Sequence, residues 1–414
     1  MSSRQLTLIV VIAAVLGAVG WLLLNRSASS WESRPATEGQ KILSFPLNDV
    51  THITIKDSAA ALNLAKNKEE WVVRERADYP ANFEQVSRLL RKIWELKPVQ
   101  EVEVGPSQFA RLNLTQPGTG ANSGTLVELK GNDEKRIAAL LIGKTYFRKS
   151  QQNFNQGPGF PAGRYVMPED GSNRVSLISD PLPEVTSKPD RWLNRDFIKI
   201  EKPRTIALMT SIPEKNWKIV RDNNSSPWKF LDTKPGEEVD STKAAGLASS
   251  LAHINFADVL EPTAQTDMTG LDKPSVLTIE TFDGFAYSLK IGKLNGENYS
   301  IKVSVSANLV HERSAAANEK PEDKKKLDEE FQSKLKTLEE KLTKEKKFET
   351  GTYLVAKSTI EQLLKNRSDI IKAPSNPTPS VTPSSQSRSP VNSLTPGQGK
   401  RPTKPLGPPN ETRP

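Results

Sequence analysis

"TGLDKP", residues 269–274, restates "NLTQP", residues 113–117, at a distance of 157 positions: Leu271 answers Leu114 and Pro274 answers Pro117. In both places a short helical turn stops at the proline and a strand-like run begins. Working outward, the echo widens. Trp228 stands 157 residues after Trp71, each ahead of an amphipathic helix. "GTLVELKGNDEKRIAALLIGK" and "SVLTIETFDGFAYSLKIGK" each give two strands around a polar turn and close on Ile-Gly-Lys, Gly292 following Gly143 by 149. "GRYVM" (163–167) is matched by "GTYLVAK" (351–357), Tyr165 with Tyr353, and "WLNRDFIKI" by "LLKNRSDIIK". Features recurring in one order, the first of them at a constant offset, read as a duplication.

Within the first copy, "HITIK", "ALNLAK" and "EWVVRE" alternate or run β-branched, as strands do. Asn82 then stands as an N-cap with Gln85 three residues on, the capping-box spacing. Phe83, Val86, Leu89, Leu90, Ile93 and Trp94 follow at helical spacing. The second copy repeats this with Asp240 or Ser241 as the cap. The expectation is an α+β chain of two tandem duplicated units after an N-terminal transmembrane helix, each unit a mainly antiparallel sheet with one main amphipathic helix. Residues 49–200 make the first repeat and 201–372 the second. Trp71 and Trp228 are expected in the core, and Gly143 and Gly292 at a strand end where backbone approaches closely.

Leu6 to Leu24, "LTLIVVIAAVLGAVGWLLL", is nineteen residues without a charge, about 28 Å as a helix and close to bilayer thickness. Arg4 and Arg26 bracket it, and Trp21 suits an interface. The apolar run is longer than a signal peptide's, and "NRSASS" is a poor cleavage site. The reading is an uncleaved anchor at 6–24, a cytoplasmic stub at 1–5 and a polar tether at 25–48. Flanking charge does not decide orientation; a short stub with the bulk exported is the default, in a bacterium the periplasm.

The second copy carries an insertion at 306–349, between its Ile-Gly-Lys strand and its tyrosine strand. Past Pro321, Leu327, Phe331, Leu335, Leu338 and Leu342 form a narrow stripe amid lysine and glutamate. Two readings stand: a solvated helical hairpin packed on itself, or a protruding arm that docks a partner helix. Residues 373–414 hold eleven of the thirty prolines and almost no large apolar residue. That tail is expected to be disordered, because it cannot offset the entropy of folding.

With no cysteine, the chain has no disulfide, thiolate metal site or cysteine nucleophile. The net charge of +9 is dispersed: the tail carries five basic residues and one acid, and ten lysines cancel ten acids between Glu319 and Glu349. No basic stripe with interleaved aromatics appears, which argues against nucleic acid. His52, His253 and His311 lack metal-ligand spacing, and there is no GxSxG, SxxK or phosphate-binding loop. Asp133 and Asp283 sit in matching hairpin turns, where Asp has a backbone role. The expected catalytic, cofactor-binding and metal sites are therefore none.

Taken together, the N-terminal anchor and the twice-repeated tryptophan strand, capped helix, Leu-x-x-Pro and Ile-Gly-Lys resemble the bacterial family known as domain of unknown function 4340, over about residues 50–370. The resemblance implies a single-pass inner-membrane protein facing the periplasm, associated with ABC-type export systems similar to gliding-motility transporters. It implies no catalytic residues. The expected role is a non-enzymatic accessory or scaffolding protein. Its expected partners are the bilayer, through 6–24, and a membrane protein. The rival is a periplasmic ligand- or glycan-binding module with its site in a cleft between the repeats.

Overall fold

The computed structural model describes residues 33–35, 40–118, 120, 122–148, 159–261, 266–314 and 319–373. The expected anchor at 6–24 and almost all of the tail lie outside them. No helix among the described residues is long and apolar enough to cross a membrane.

Two antiparallel sheets follow one another along the chain. The first contains β1 (Ser33–Pro35), β2 (His52–Lys56), β3 (Ala61–Asn67), β4 (Glu70–Val73), β5 (Tyr79–Pro80), β6 (Gln100–Val102), β7 (Thr125–Lys130), β8 (Arg136–Arg148), β9 (Phe160–Pro168) and β10 (Val175–Ile178). The second contains β11 (Pro203–Met209), β12 (Trp217–Val220), β13 (Lys229–Phe230), β14 (Asp258–Leu260), β15 (Ser275–Thr281), β16 (Phe285–Asn295), β17 (Asn298–Ala307) and β18 (Thr352–Ala356). The first runs β1-β6-β10-β9-β8-β7-β2-β3-β4-β5 and the second β13-β12-β11-β15-β16-β17-β18-β14. Setting aside β1 and β5 at the margins, the eight remaining strands of the first sheet have the order of the second. Register agrees as well: Ile142 faces Val166 and Ile291 faces Ile301, while Val73 faces Leu64 and Phe230 faces Ile219.

This order corrects one pairing made from sequence. β18, which holds Tyr353, lies between β17 and β14 and so takes the place of β10. The counterpart of β9, with Tyr165, is β17, "NYSIKVSVSA". A Gly-x-Tyr signature had drawn the wrong strands together. The insertion therefore falls between β17 and β18, where the first half has only the turn of residues 169–174.

Each sheet carries its helix as the caps require. In α1 (Phe83–Glu95), Asn82 Oδ1 accepts from the Gln85 N–H at 3.1 Å. The Asn82 N–H goes to Trp192 O at 2.7 Å. In α2 (Ser241–Ala252), Asp240 Oδ1 accepts from Thr242 and Lys243. Val86, Leu89, Leu90 and Ile93 are buried, but Phe83 is exposed and Trp94 lies at the margin under the Lys41 ammonium. Trp71 and Trp228 are core residues, 5% and 7% exposed.

The joint of the opening stretch is built alike twice. Asn113 and Gly270 both take left-handed backbone, with φ of 54° and 64°. A Cβ on Gly143 would stand 2.3 Å from Leu112 O, and one on Gly292 2.1 Å from Thr269 O. Both glycines let a long strand pass under the turn.

Two further expectations change. The segment assigned as a tether to residue 48 is partly structural: Ser33–Pro35 pairs with β6, and Ile42, Leu43 and Phe45 are buried. The Ile42 N–H donates to Leu96 O at 2.9 Å, because these apolar side chains close the margin of the core beside α1. The insertion, moreover, is not a helical hairpin. Its helix, α3 (Pro321–Lys346), lies against the second sheet, and the described residues 308–314 before it are not helical. Leu338 and Leu342 pack on the core, which is continuous through both halves. The chain then closes with β18 and α4 (Lys357–Leu363). A smaller core, with Phe109, Leu112, Leu114, Leu141 and Met167, fills the other face of the first sheet.

Candidate functional site

Among the described residues, no three His, Cys, Asp or Glu side chains gather where they could hold a metal ion. His52 Nδ1 lies 3.2 Å from Thr51 Oγ1, in β2. His253 caps α2, with Nδ1 2.9 Å from Ser249 O. His311 is 3.9 Å from Glu339 on the arm. The three histidines thus serve three separate elements. Asp133 plays the backbone role expected, accepting from the Lys135 N–H at 3.2 Å. Asp283 does not. It pairs with Lys202 at 3.1 Å and Lys334 at 3.2 Å, tying the hairpin turn to α3. Burial would raise its carboxyl, but the two lysine contacts hold it below the ordinary value of 3.8.

Chemistry is sparse, whereas contact between the halves is dense. Arg76, after β4, donates through Nε and Nη2 to the two Asp258 oxygens at 2.7 and 2.6 Å. Arg195, on the segment leaving the first half, donates to Phe256 O and Ala257 O, both at 2.7 Å. Its guanidinium also covers the Phe256 ring. Five rings gather at the same junction. Phe197 sits 4.6 Å from Tyr353, 5.2 Å from Phe256 and 5.3 Å from Phe348, and Tyr79 reaches Phe256 and Tyr353 at 5.8 and 6.2 Å. Burial pushes the Tyr79 hydroxyl up to about 12 and raises that of Tyr353 further. The Tyr353 hydroxyl is fully enclosed without a well-formed hydrogen bond. The rings pack together at the junction of the two halves.

Sequence reasoning missed these contacts. Arg76 and Asp258 stand 182 residues apart, and neither residue type is unusual in its surroundings. The outgoing "NRDF" motif was the available signal, since it carries both Arg195 and Phe197.

The second concentration of contacts is the arm. Glu345, 4% exposed, accepts from the Lys199 N–H at 3.0 Å and the Tyr287 hydroxyl at 2.7 Å. Burial, then the Glu345 carboxylate, raises the Tyr287 hydroxyl far above its ordinary value. Lys341 donates to Lys199 O at 2.7 Å, and Lys344 reaches Asp196 at 2.8 Å. The C-terminal half of α3 is thus latched to both the second sheet and the inter-half linker. Its first ten residues are exposed except for Asp328, and Leu327 is 39% exposed. Arg313 steadies that end by pairing with Glu319 and Asp328.

A groove of about 490 Å³ lies between α1 and the 183–192 segment, lined in part by Arg88, Thr186, Lys188, Arg191 and Trp192. Trp192 is 2% exposed and its indole N–H is spent on Thr186 O, so it offers no stacking face. Arg88 and Arg191 stand out in solvent. Glu184 lines the same groove, with its Oε1 buried 2.7 Å from the Lys92 ammonium, so the groove is not a purely basic pocket for an anion.

Against known proteins, a family model described as a domain of unknown function (DUF4340) matches residues 71–274, just under half of the chain. The match supports the family, and it begins at Trp71 in the first half and ends at Pro274 in the second. No curated protein and no solved structure matches.

Proposed function

We propose that this chain is a non-enzymatic, membrane-anchored accessory or scaffolding protein built from two tandem copies of the family's unit, facing the periplasm. The duplication reading draws on the common strand order of the two sheets. The anchor reading draws on the uncharged run at 6–24, and the link to an ABC-type, gliding-motility-like transport system on the family resemblance.

The observation that carries the scaffolding role is the asymmetry of α3. Its C-terminal end is latched by Glu345, Lys341 and Lys344, while further towards its N-terminus Leu327 is exposed and Phe331 and Leu335 are only partly covered. A helix held rigidly at one end and left apolar at the other suits a contact with a partner helix. The filled junction, in turn, favours this reading over a ligand cleft.

The test is crosslinking of the full chain in native membranes, with identification of the attached proteins. Leu327→Ser with Phe331→Ser is expected to lose a membrane-protein adduct while leaving the melting temperature nearly unchanged. Retention of every adduct overturns the arm's role. Deleting the whole insertion is a poor substitute, because it would strip Tyr287 and Lys199 of their partner.

A further inference from the structure

Apart from the insertion, the halves differ in their matching long hairpins. In the second half β16 and β17 turn over tightly at Asn295–Asn298. In the first half β8 and β9 run on past the sheet. β7 pairs with β8 no further than Ile142, and β10 with β9 no further than Arg164. Beyond those points β8 and β9 pair only with each other among the described residues, as a two-stranded ribbon about 20 Å long from Gly143 to Arg148.

That ribbon is aromatic and basic. Phe160 is 78% exposed, and Tyr146 and Phe147 are each 38% exposed. Tyr146 makes an edge-to-face contact with Tyr165, which carries the small second core out onto the ribbon. Arg148 faces Phe160 and Phe147 faces Pro161, so strand alternation puts Tyr146, Arg148 and Phe160 on one side and Phe147 on the other. Lys144 and Arg148 are exposed, and the sequence has no acidic residue between Glu134 and Glu169.

We infer that the β8–β9 ribbon is an interfacial contact for an anionic lipid bilayer surface. Three features select this occupant. Aromatic side chains on both faces suit a soft medium that surrounds the ribbon, since a rigid protein surface would cover one face. Lysine and arginine without acidic neighbours complement anionic headgroups, at about fivefold in affinity for each cation. Among the described residues no further strand pairs with either ribbon edge beyond Gly143, and such open edges keep the ribbon out of hydrocarbon and at headgroup depth, where tyrosine and phenylalanine can bury their rings while water still meets the peptide groups. The tight turn of the second half, with Glu297 at its tip, shows that the fold itself has no need of the ribbon.

This inference rests on the anchored reading above, and the experiment separates the two. Because the chain has no cysteine, Ala162→Cys on the ribbon and Glu297→Cys on the matching turn each accept one spin label. The full chain is placed in nanodiscs of phosphatidylcholine, with or without a third of phosphatidylglycerol, and collision with a water-soluble nickel chelate is measured. The expected result is at least a threefold drop in accessibility at residue 162 with anionic lipid and no change at 297. Lys144→Glu with Arg148→Glu, or Phe147→Ser with Phe160→Ser, should restore it. Equal accessibility in both discs overturns the ribbon's role while the anchor stands. Protection seen only in native membranes overturns it in favour of a protein partner. A chain that does not enter discs refutes the anchor; labelled protein mixed with preformed vesicles of the two compositions then decides the ribbon by the same readout.

Discussion

Arg76→Ala removes a charged bridge between the two halves, and its cost can be worked from the geometry. The guanidinium makes two bonds of 2.6 and 2.7 Å to Asp258, and each side chain is 21% exposed. Exposed ion pairs contribute about 0–1 kcal/mol, whereas breaking a buried pair costs about 3–5 kcal/mol. A pair that is mostly but not wholly covered belongs between, at about 2 kcal/mol for the single substitution. Asp258 also accepts from the Val259 N–H at 2.8 Å, so Asp258→Ala removes more than the bridge. A double-mutant cycle should therefore give a coupling of about 1–1.5 kcal/mol. The assay is urea unfolding, followed by tryptophan fluorescence and far-UV circular dichroism. For a body of about 330 residues the unfolding entropy is so large that ~2 kcal/mol moves the melting temperature by only about 3 °C. Trp71 and Trp228 report from opposite halves of one core, so the two probes should coincide in a single transition. Two separated transitions in the parent chain, or a coupling within error of zero, would refute a welded junction.

Glu345→Ala should cost about 2–4 kcal/mol by orphaning the Tyr287 hydroxyl and Lys199 N–H, and hydrogen exchange across 321–346 should quicken; unchanged protection would mean the latch lies elsewhere. Gly292→Ala should lose about 2–3 kcal/mol, because the new Cβ meets a backbone oxygen that cannot turn aside. Gly246→Ala, on an open face of α2, should instead gain about 0.5–1 kcal/mol, and equal effects at the two sites would discredit the close-approach account. In acid, Asp232, through its hydrogen bonds from Arg367, and Asp283, through its lysines, have folded values below 3.8. The unfolded chain therefore takes up protons first, so their contribution is whole above 3.8 and drains as pH falls through the folded values. Asp283→Asn should flatten the acid limb of the urea midpoint measured from pH 6 to 3; a parallel curve would rule it out as a contributor.

Local signals carried the elements. The Asn82 and Asp240 caps, the buried face of α1 and the Gly143–Gly292 correspondence follow from short-range sterics and hydrogen bonding, which a single stretch can encode. Strand identity is different, because it depends on neighbours. "TYLVA" and "FPAGRYVMP" share a tyrosine and an apolar alternation, yet their places in the sheet differ by one position. The arm shows the same limit from the helical side. A stripe at spacings of three and four records that something apolar lies alongside, and a sheet face supplies it as well as a second helix does. The junction was least legible: five rings and two arginines drawn from both halves and the linker become a cluster only after folding.

The insertion point of α3 has a consequence for how such a chain can vary. A detour taken at the turn between two neighbouring antiparallel strands leaves every pairing in the sheet as it was. The first half already shows the short version, with residues 169–174 closing the same turn. That turn is a socket: arms of other lengths or sequences could occupy it, in either half, without retying the protein. Attachment and architecture can then diversify independently.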